Sequence, residues 1–339
     1  MTLPLALIGA ALSWLAPPLS AERPVTCAEL TPGSAGDPSL HRTRCVAIRP
    51  GVSLEVLDWG GPGQPLVFLA GLGDTGHEFD DFAPRFTDGF HVLAITRRGY
   101  GQSSRTEDGY DLSTLAEDLR ITLDSLGLER VTLIGHSFGG DEMSNFAARW
   151  PSRVQRLIYL DAAHDRTALR GLLASVPMPP DPPMTSADSA SPEAVRDYVS
   201  RASYGVTLPL SWVTSTMRFD ATGHLIGPAT PDSMFPIFLA GTLAPEYLRI
   251  QAPALAIYAV PEAARDLFPA YAGMSPADQA KADTATARFR IYIEAQIATV
   301  RRELRGARVL IIPRARHYVF ISNEQEVERA VRQFLTAAP

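Results

Sequence analysis

Short apolar runs bounded by Gly, Pro or Asp recur along the chain, and longer stretches between them carry apolar residues at helical spacing. The runs Arg44–Ile48, Leu54–Trp59, Leu66–Ala70, His91–Thr96, Val131–Ile134, Arg156–Leu160, Ala254–Val260 and Arg308–Ile312 read as strands, several rich in β-branched residues. The stretches Leu112–Ser125, Gly140–Trp150, Ala277–Arg305 and Asn323–Leu335 read as helices. The first two strands predict an antiparallel pair at a sheet edge. The rest alternate with helices, which predicts an α/β fold: a mostly parallel, doubly wound sheet covered on both faces.

The alternation breaks over residues 163–250. A proline-rich stretch, Pro177-Met178-Pro179-Pro180-Asp181-Pro182-Pro183, is followed there by a helical pattern near Pro192–Ser203 and by Trp212, Phe219, Met234, Phe235 and Phe238. So many large apolar residues would be costly to leave in water, which predicts a folded cap between two core strands rather than a linker. The core then divides into residues 44–162 and 251–339, around an inserted cap of residues 163–250.

Residues 1–21 have the outline of a signal peptide. Leu3 to Leu19 is apolar, broken by Pro17-Pro18, and Leu19-Ser20-Ala21 resembles a cleavage site. The segment is short for a membrane span. An exported, periplasmic or secreted protein is therefore expected, with an uncleaved membrane anchor as the alternative. Residues 22–43 read as a polar linker. Cys27 and Cys45 are the only cysteines, and an even count in an exported chain makes them a candidate disulfide.

With 339 residues, 46% hydrophobic and 20% charged, the chain has the composition of a globular protein with a sizeable core. The net charge of −6 and the lack of any basic stretch argue against a nucleic-acid partner.

The chemistry centres on Gly135-His136-Ser137-Phe138-Gly139, a G-x-S-x-G pentapeptide between a predicted strand and a predicted helix. In that context it forms a sharp turn that pushes the serine out at the sheet edge as a nucleophile. A serine hydroxyl needs a base. Among seven histidines His317 is the candidate, because it falls in the loop after the last strand, where an α/β sheet places its site. His77 is the nearest rival, and His136 points the wrong way for its own neighbour. The third group, which orients the imidazole, is less defined. Glu262 follows the strand Ala254–Val260 and fits the order serine, acid, histidine. Asp161 follows the preceding strand and is the alternative acid, with Asp266 a third option. Asp141 and Glu142 read instead as first-turn acids facing the helix dipole. The oxyanion of acyl transfer requires waiting N–H donors, expected from Phe138 and from Leu72 in Gly71-Leu72-Gly73-Asp74.

From about residue 50 to the C-terminus the chain resembles the α/β-hydrolase family, in its capped, esterase- or lipase-like serine hydrolases. Ala70-Gly71-Leu72-Gly73 is similar to the family's His-Gly-x-Gly loop, with Ala70 at the histidine position. Thr96-Arg97-Arg98-Gly99-Tyr100-Gly101-Gln102-Ser103 is similar to its Asp-x-Arg-Gly-x-Gly-x-Ser segment, with Thr96 for aspartate. Arg316-His317 stands where the family has Gly-His, and Tyr258-Ala259-Val260-Pro261-Glu262 where it has Trp-Gly-x-x-Asp. The resemblance and the serine–histidine–acid set together imply hydrolysis through an acyl-enzyme, and with no metal cluster, phosphate-binding glycine loop or dinucleotide fingerprint in the sequence no cofactor or metal is expected. Serine at the nucleophile position argues against an epoxide hydrolase or dehalogenase. The apolar cap favours a small-molecule carboxylic ester, small or medium in size with a hydrophobic acyl or alcohol part, over an amide or a charged substrate. An acyltransferase or cofactor-free perhydrolase would use the same residues, and a binding protein that has lost catalysis is the reading from a different class.

Overall fold

The computed structural model describes residues 40–337. Residues 1–21, read above as a signal peptide, and Cys27, one end of the candidate disulfide, lie outside that range. Among the described residues no helix is long and apolar enough to cross a membrane.

An eight-stranded sheet forms the centre. In chain order its first strands are β1 (Arg42–Arg49), β2 (Val52–Gly60), β3 (Pro65–Leu69), β4 (His91–Thr96), β5 (Val131–His136) and β6 (Val154–Leu160). A separate two-stranded hairpin follows, β7 (Met217–Phe219) with β8 (Leu225–Pro228). Strands β9 (Ala254–Val260) and β10 (Arg308–Pro313) complete the sheet in the order β1-β2-β4-β3-β5-β6-β9-β10. β2 runs antiparallel to β1 and β4, and the remaining pairs are parallel.

Alternation along the strands divides the core. Leu66 and Phe68 of β3, Ile134 of β5 and Ile257 of β9 face one layer, while Val67, Leu69, Leu133 and Ala256 face the other. The second layer is closed by α1 (Leu112–Ser125), α2 (Gly139–Arg149) and the long α8 (Pro276–Glu303) through Leu119, Phe146 and Ile297. The first is closed by α10 (Glu324–Thr336) through Val331 and Phe334, and by residues inserted between β6 and β9.

That insertion holds α3 (Arg166–Ser175), α4 (Pro192–Val199), α5 (Leu210–Thr216), the hairpin and α6 (Met234–Ala240). It is packed rather than loosely draped. Trp212 of α5 is fully buried and its Nε1 donates to Asp74 Oδ1 at 2.8 Å, while Phe238 of α6 lies against Tyr100, Tyr110 and Phe138. The predicted helix near Pro192–Ser203 is α4, continued by one wider turn over Ser200–Tyr204. The insertion's other helices, α3, α5 and α6, are visible only in the fold. Two further short helices, α7 (Ala264–Leu267) and α9 (Val319–Ser322), lie in the loops after β9 and β10.

Candidate active site

Ser137 sits between β5 and α2 with φ +49°, the left-handed backbone expected of a forced turn. Two glycines let the helix approach the sheet. A Cβ on Gly139 would lie 2.2 Å from the Leu69 carbonyl oxygen, and one on Gly140 would lie 2.2 Å from that of Ala162. Any side chain at either position would push α2 away and shift the serine. Ser137 retains 6% of its surface.

His317 occupies the loop after β10, ahead of α9, and its Nδ1 lies 2.6 Å from Asp161 Oδ2. Asp161, at the end of β6, also has a left-handed φ of +48°. Its second oxygen accepts from the Ala259 N–H at 3.0 Å and lies 3.6 Å from His164 Nε2. Burial alone would raise this carboxyl, but contacts with His164 and His317 outweigh it and hold Asp161 well below the usual carboxylate range. An ionised Asp161 makes His317 Nδ1 the donor and leaves Nε2 as the acceptor. Nε2 has no hydrogen-bond partner among the described residues. Burial lowers the His317 pKa from 6.5, helped by neighbouring His136 and Arg166 and opposed by Asp161.

Glu262, the first expectation for the acid, is not beside His317. Its backbone N–H and that of Ala263 both donate to Asp266 Oδ2 at 2.9 Å, which folds the loop after β9 into α7. The Glu262 side chain is thereby carried to the surface, 57% exposed, where it meets Arg314 at 3.4 Å. Asp266 is occupied by the same loop, and the residue that reaches the imidazole is Asp161. His77 is engaged with Asp80 at 2.9 Å.

Leu72 and Phe138 are brought together, their side chains sharing one apolar cluster with Phe238 of the cap. Neither backbone N–H meets a protein acceptor among the described residues. The Leu72 loop is held by Arg97, at the end of β4. Its Nη1 and Nη2 donate to the carbonyls of Gly71 and Ala70, and its Nε to Glu142 Oε1 at 2.5 Å. Glu142 therefore neutralises a buried arginine, a role the first-turn pattern did not suggest. Behind the loop, burial pushes the carboxyls of Asp74 and Glu78 upward, and His136 Nδ1 lies 3.1 Å from Glu78. Burial also drops His136 to about 4, which keeps that ring neutral.

Arg166, the first residue of α3, was not anticipated. It is buried, its Nε donates to Asp141 Oδ2 at 2.7 Å and its Nη2 donates to Ser137 Oγ at 3.3 Å. Asp141, too, is thus the partner of a buried arginine rather than only a helix-dipole acid. No local pattern marks such a residue, because its position depends on how the cap folds back over the sheet.

Residues 64–191 match the family model described as the alpha/beta hydrolase fold. A non-heme chloroperoxidase of Kitasatospora aureofaciens is 38% identical over 116 residues, 34% of this chain and 42% of that protein. A bifunctional esterase/perhydrolase of Acinetobacter calcoaceticus is 33% identical over 109 residues, 32% of this chain and 40% of that protein. The chain thus matches about two fifths of the length of these curated relatives. The crystal structure of E-2-(acetamidomethylene)succinate hydrolase superposes with a TM-score of 0.62 at 21% identity, over 88% of this chain and all of that one. With the strand order and the serine turn described above, these likenesses show that the chain has the α/β-hydrolase fold.

Proposed function

We propose that the chain is a serine hydrolase that cleaves a carboxylic ester through an acyl-enzyme on Ser137. The observation that carries this is the His317–Asp161 contact at 2.6 Å, made at the sheet edge where β5 presents Ser137. Ser137 Oγ attacks the ester carbonyl while His317 Nε2 accepts its proton. The N–H groups of Leu72 and Phe138 stabilise the oxyanion, and Asp161 stabilises the imidazolium. Collapse expels the alcohol, which takes the proton from Nε2. Water then attacks the acyl-serine by the same route, releasing the acid and restoring Oγ–H. In the structure Oγ engages Arg166, so the hydroxyl must turn toward Nε2 when substrate binds; such contacts commonly tighten only in the substrate complex.

A fluorophosphonate probe tests the nucleophile directly. An adduct on Ser137, located by peptide mass, together with turnover of p-nitrophenyl acetate or butyrate, is the expected result. An unlabelled Ser137 sinks the proposal.

The pH profile follows from His317. The base works only when neutral, so kcat/KM falls as pH drops through its pKa. Because burial lowers that pKa from 6.5, the acidic limb is expected below pH 6.5. A limb centred at pH 7 or above contradicts the assignment.

A further inference from the structure

Building on the serine-hydrolase reading, we infer that Arg166 makes the site selective for monoesters of short dicarboxylic acids, with the free carboxylate seated on its guanidinium.

A guanidinium offers five N–H donors, and a buried one is costly unless it is paired. Asp141 takes Nε at 2.7 Å. Nη2 points past Asp141 into the reaction centre and reaches Ser137 Oγ at 3.3 Å, long for a hydrogen bond to a hydroxyl. Burial opposes the charge on Arg166, but Asp141, Tyr292 and Asp161 outweigh it and keep the group cationic. Asp161 is itself committed to His317, His164 and the Ala259 N–H. The guanidinium edge at the serine is therefore the cationic feature that an incoming substrate meets.

A carboxylate bonded to Nη2 would lie about 2.8 Å from it. With Nη2 3.3 Å from Oγ, that places the carboxylate oxygen within about 6 Å of the nucleophile. The acyl carbon is one covalent bond from Oγ, so one to three carbons separate the two carboxyl groups of the acid. The carboxylate would also draw Nη2 away from Oγ and free the hydroxyl for His317 Nε2. A neutral ester leaves the arginine competing for the nucleophile. The carboxylate thus assists the chemical step as well as binding.

The alternative is that Arg166 only ties α3 to the first turn of α2. Such a tie would affect charged and neutral esters alike, so the ratio between them separates the two roles. The probes are the monomethyl and dimethyl esters of malonic, succinic, glutaric and adipic acids, followed by pH-stat near neutral pH. For the wild type, kcat/KM is expected to favour the monoester by at least about tenfold, with the preference fading at adipate. Arg166→Gln is expected to cut the monoester-to-diester ratio by about ten- to a hundredfold, with Arg166→Lys intermediate. Fluorophosphonate labelling of Ser137 in each variant checks that the site is folded. If the variants do not fold, the wild-type ratio decides alone. A labelled wild type with no monoester preference, or a folded Arg166→Gln with an unchanged ratio, overturns the assignment and leaves the serine-hydrolase reading standing. A wild type that does not label at Ser137 overturns both.

Discussion

Asp161→Asn is expected to lower kcat by about 10⁴-fold, the size of loss seen when an aspartate–histidine pair is converted to the wrong tautomer. The direction follows from the neighbours of Asp161. One carboxylate oxygen accepts from the Ala259 N–H at 3.0 Å. An asparagine would keep its carbonyl oxygen on that donor and turn its amide NH₂ toward His317 Nδ1. Nδ1 would then have to accept, placing the ring proton on Nε2, where it can no longer take one from Ser137. Glu262→Gln, at an exposed position paired with Arg314, is expected to change kcat by no more than about twofold. Steady-state kinetics on one ester substrate compares the two. A large loss in Glu262→Gln with little loss in Asp161→Asn reverses the assignment.

The second large effect is expected at Arg97. Arg97→Met removes the donors from the Ala70 and Gly71 carbonyls and leaves the buried Glu142 carboxylate without its cation. Burial raises the Glu142 pKa and Arg97 opposes that rise, so without Arg97 the charged form is left strongly disfavoured. Stability is expected to fall by about 3–5 kcal/mol, the range for breaking one side of a buried ion pair, as measured by urea unfolding. Activity is expected to fall about 10²–10³-fold, as when an oxyanion donor is misplaced. The double variant Arg97→Met/Glu142→Met separates the two consequences. Removing both charges should restore most of the stability, because no buried ion is left unpaired. It should not restore kcat, because the Leu72 loop still lacks its donors. A double variant with normal kcat would show that Arg97 serves folding alone.

Both residues illustrate the limit of local reading. The segment Thr96-Arg97-Arg98-Gly99 was recognisable, but the carbonyls that Arg97 holds belong to a loop 26 and 27 positions away. Asp161 and Glu262 each follow a parallel strand, and either fits serine, acid, histidine order. What separates them is the loop after β9, where Asp266 collects two N–H groups and turns Glu262 outward.

The sequence by itself determined what depends on local backbone geometry and on periodicity. Alternating apolar runs and helical spacings marked the strands and the long helices, because burial imposes a repeat of two or of 3.6 residues. Glycines flanking Ser137 marked the turn, because only there can helix and sheet approach so closely. The loop position of His317 followed from the strand before it. Only the tertiary structure decided which carboxylate meets His317, which cation holds the Leu72 loop, and that Arg166 reaches the serine from the cap. Those pairings join residues far apart in the chain through a twisted sheet and an inserted cap, and their distances are set by packing that no short pattern encodes.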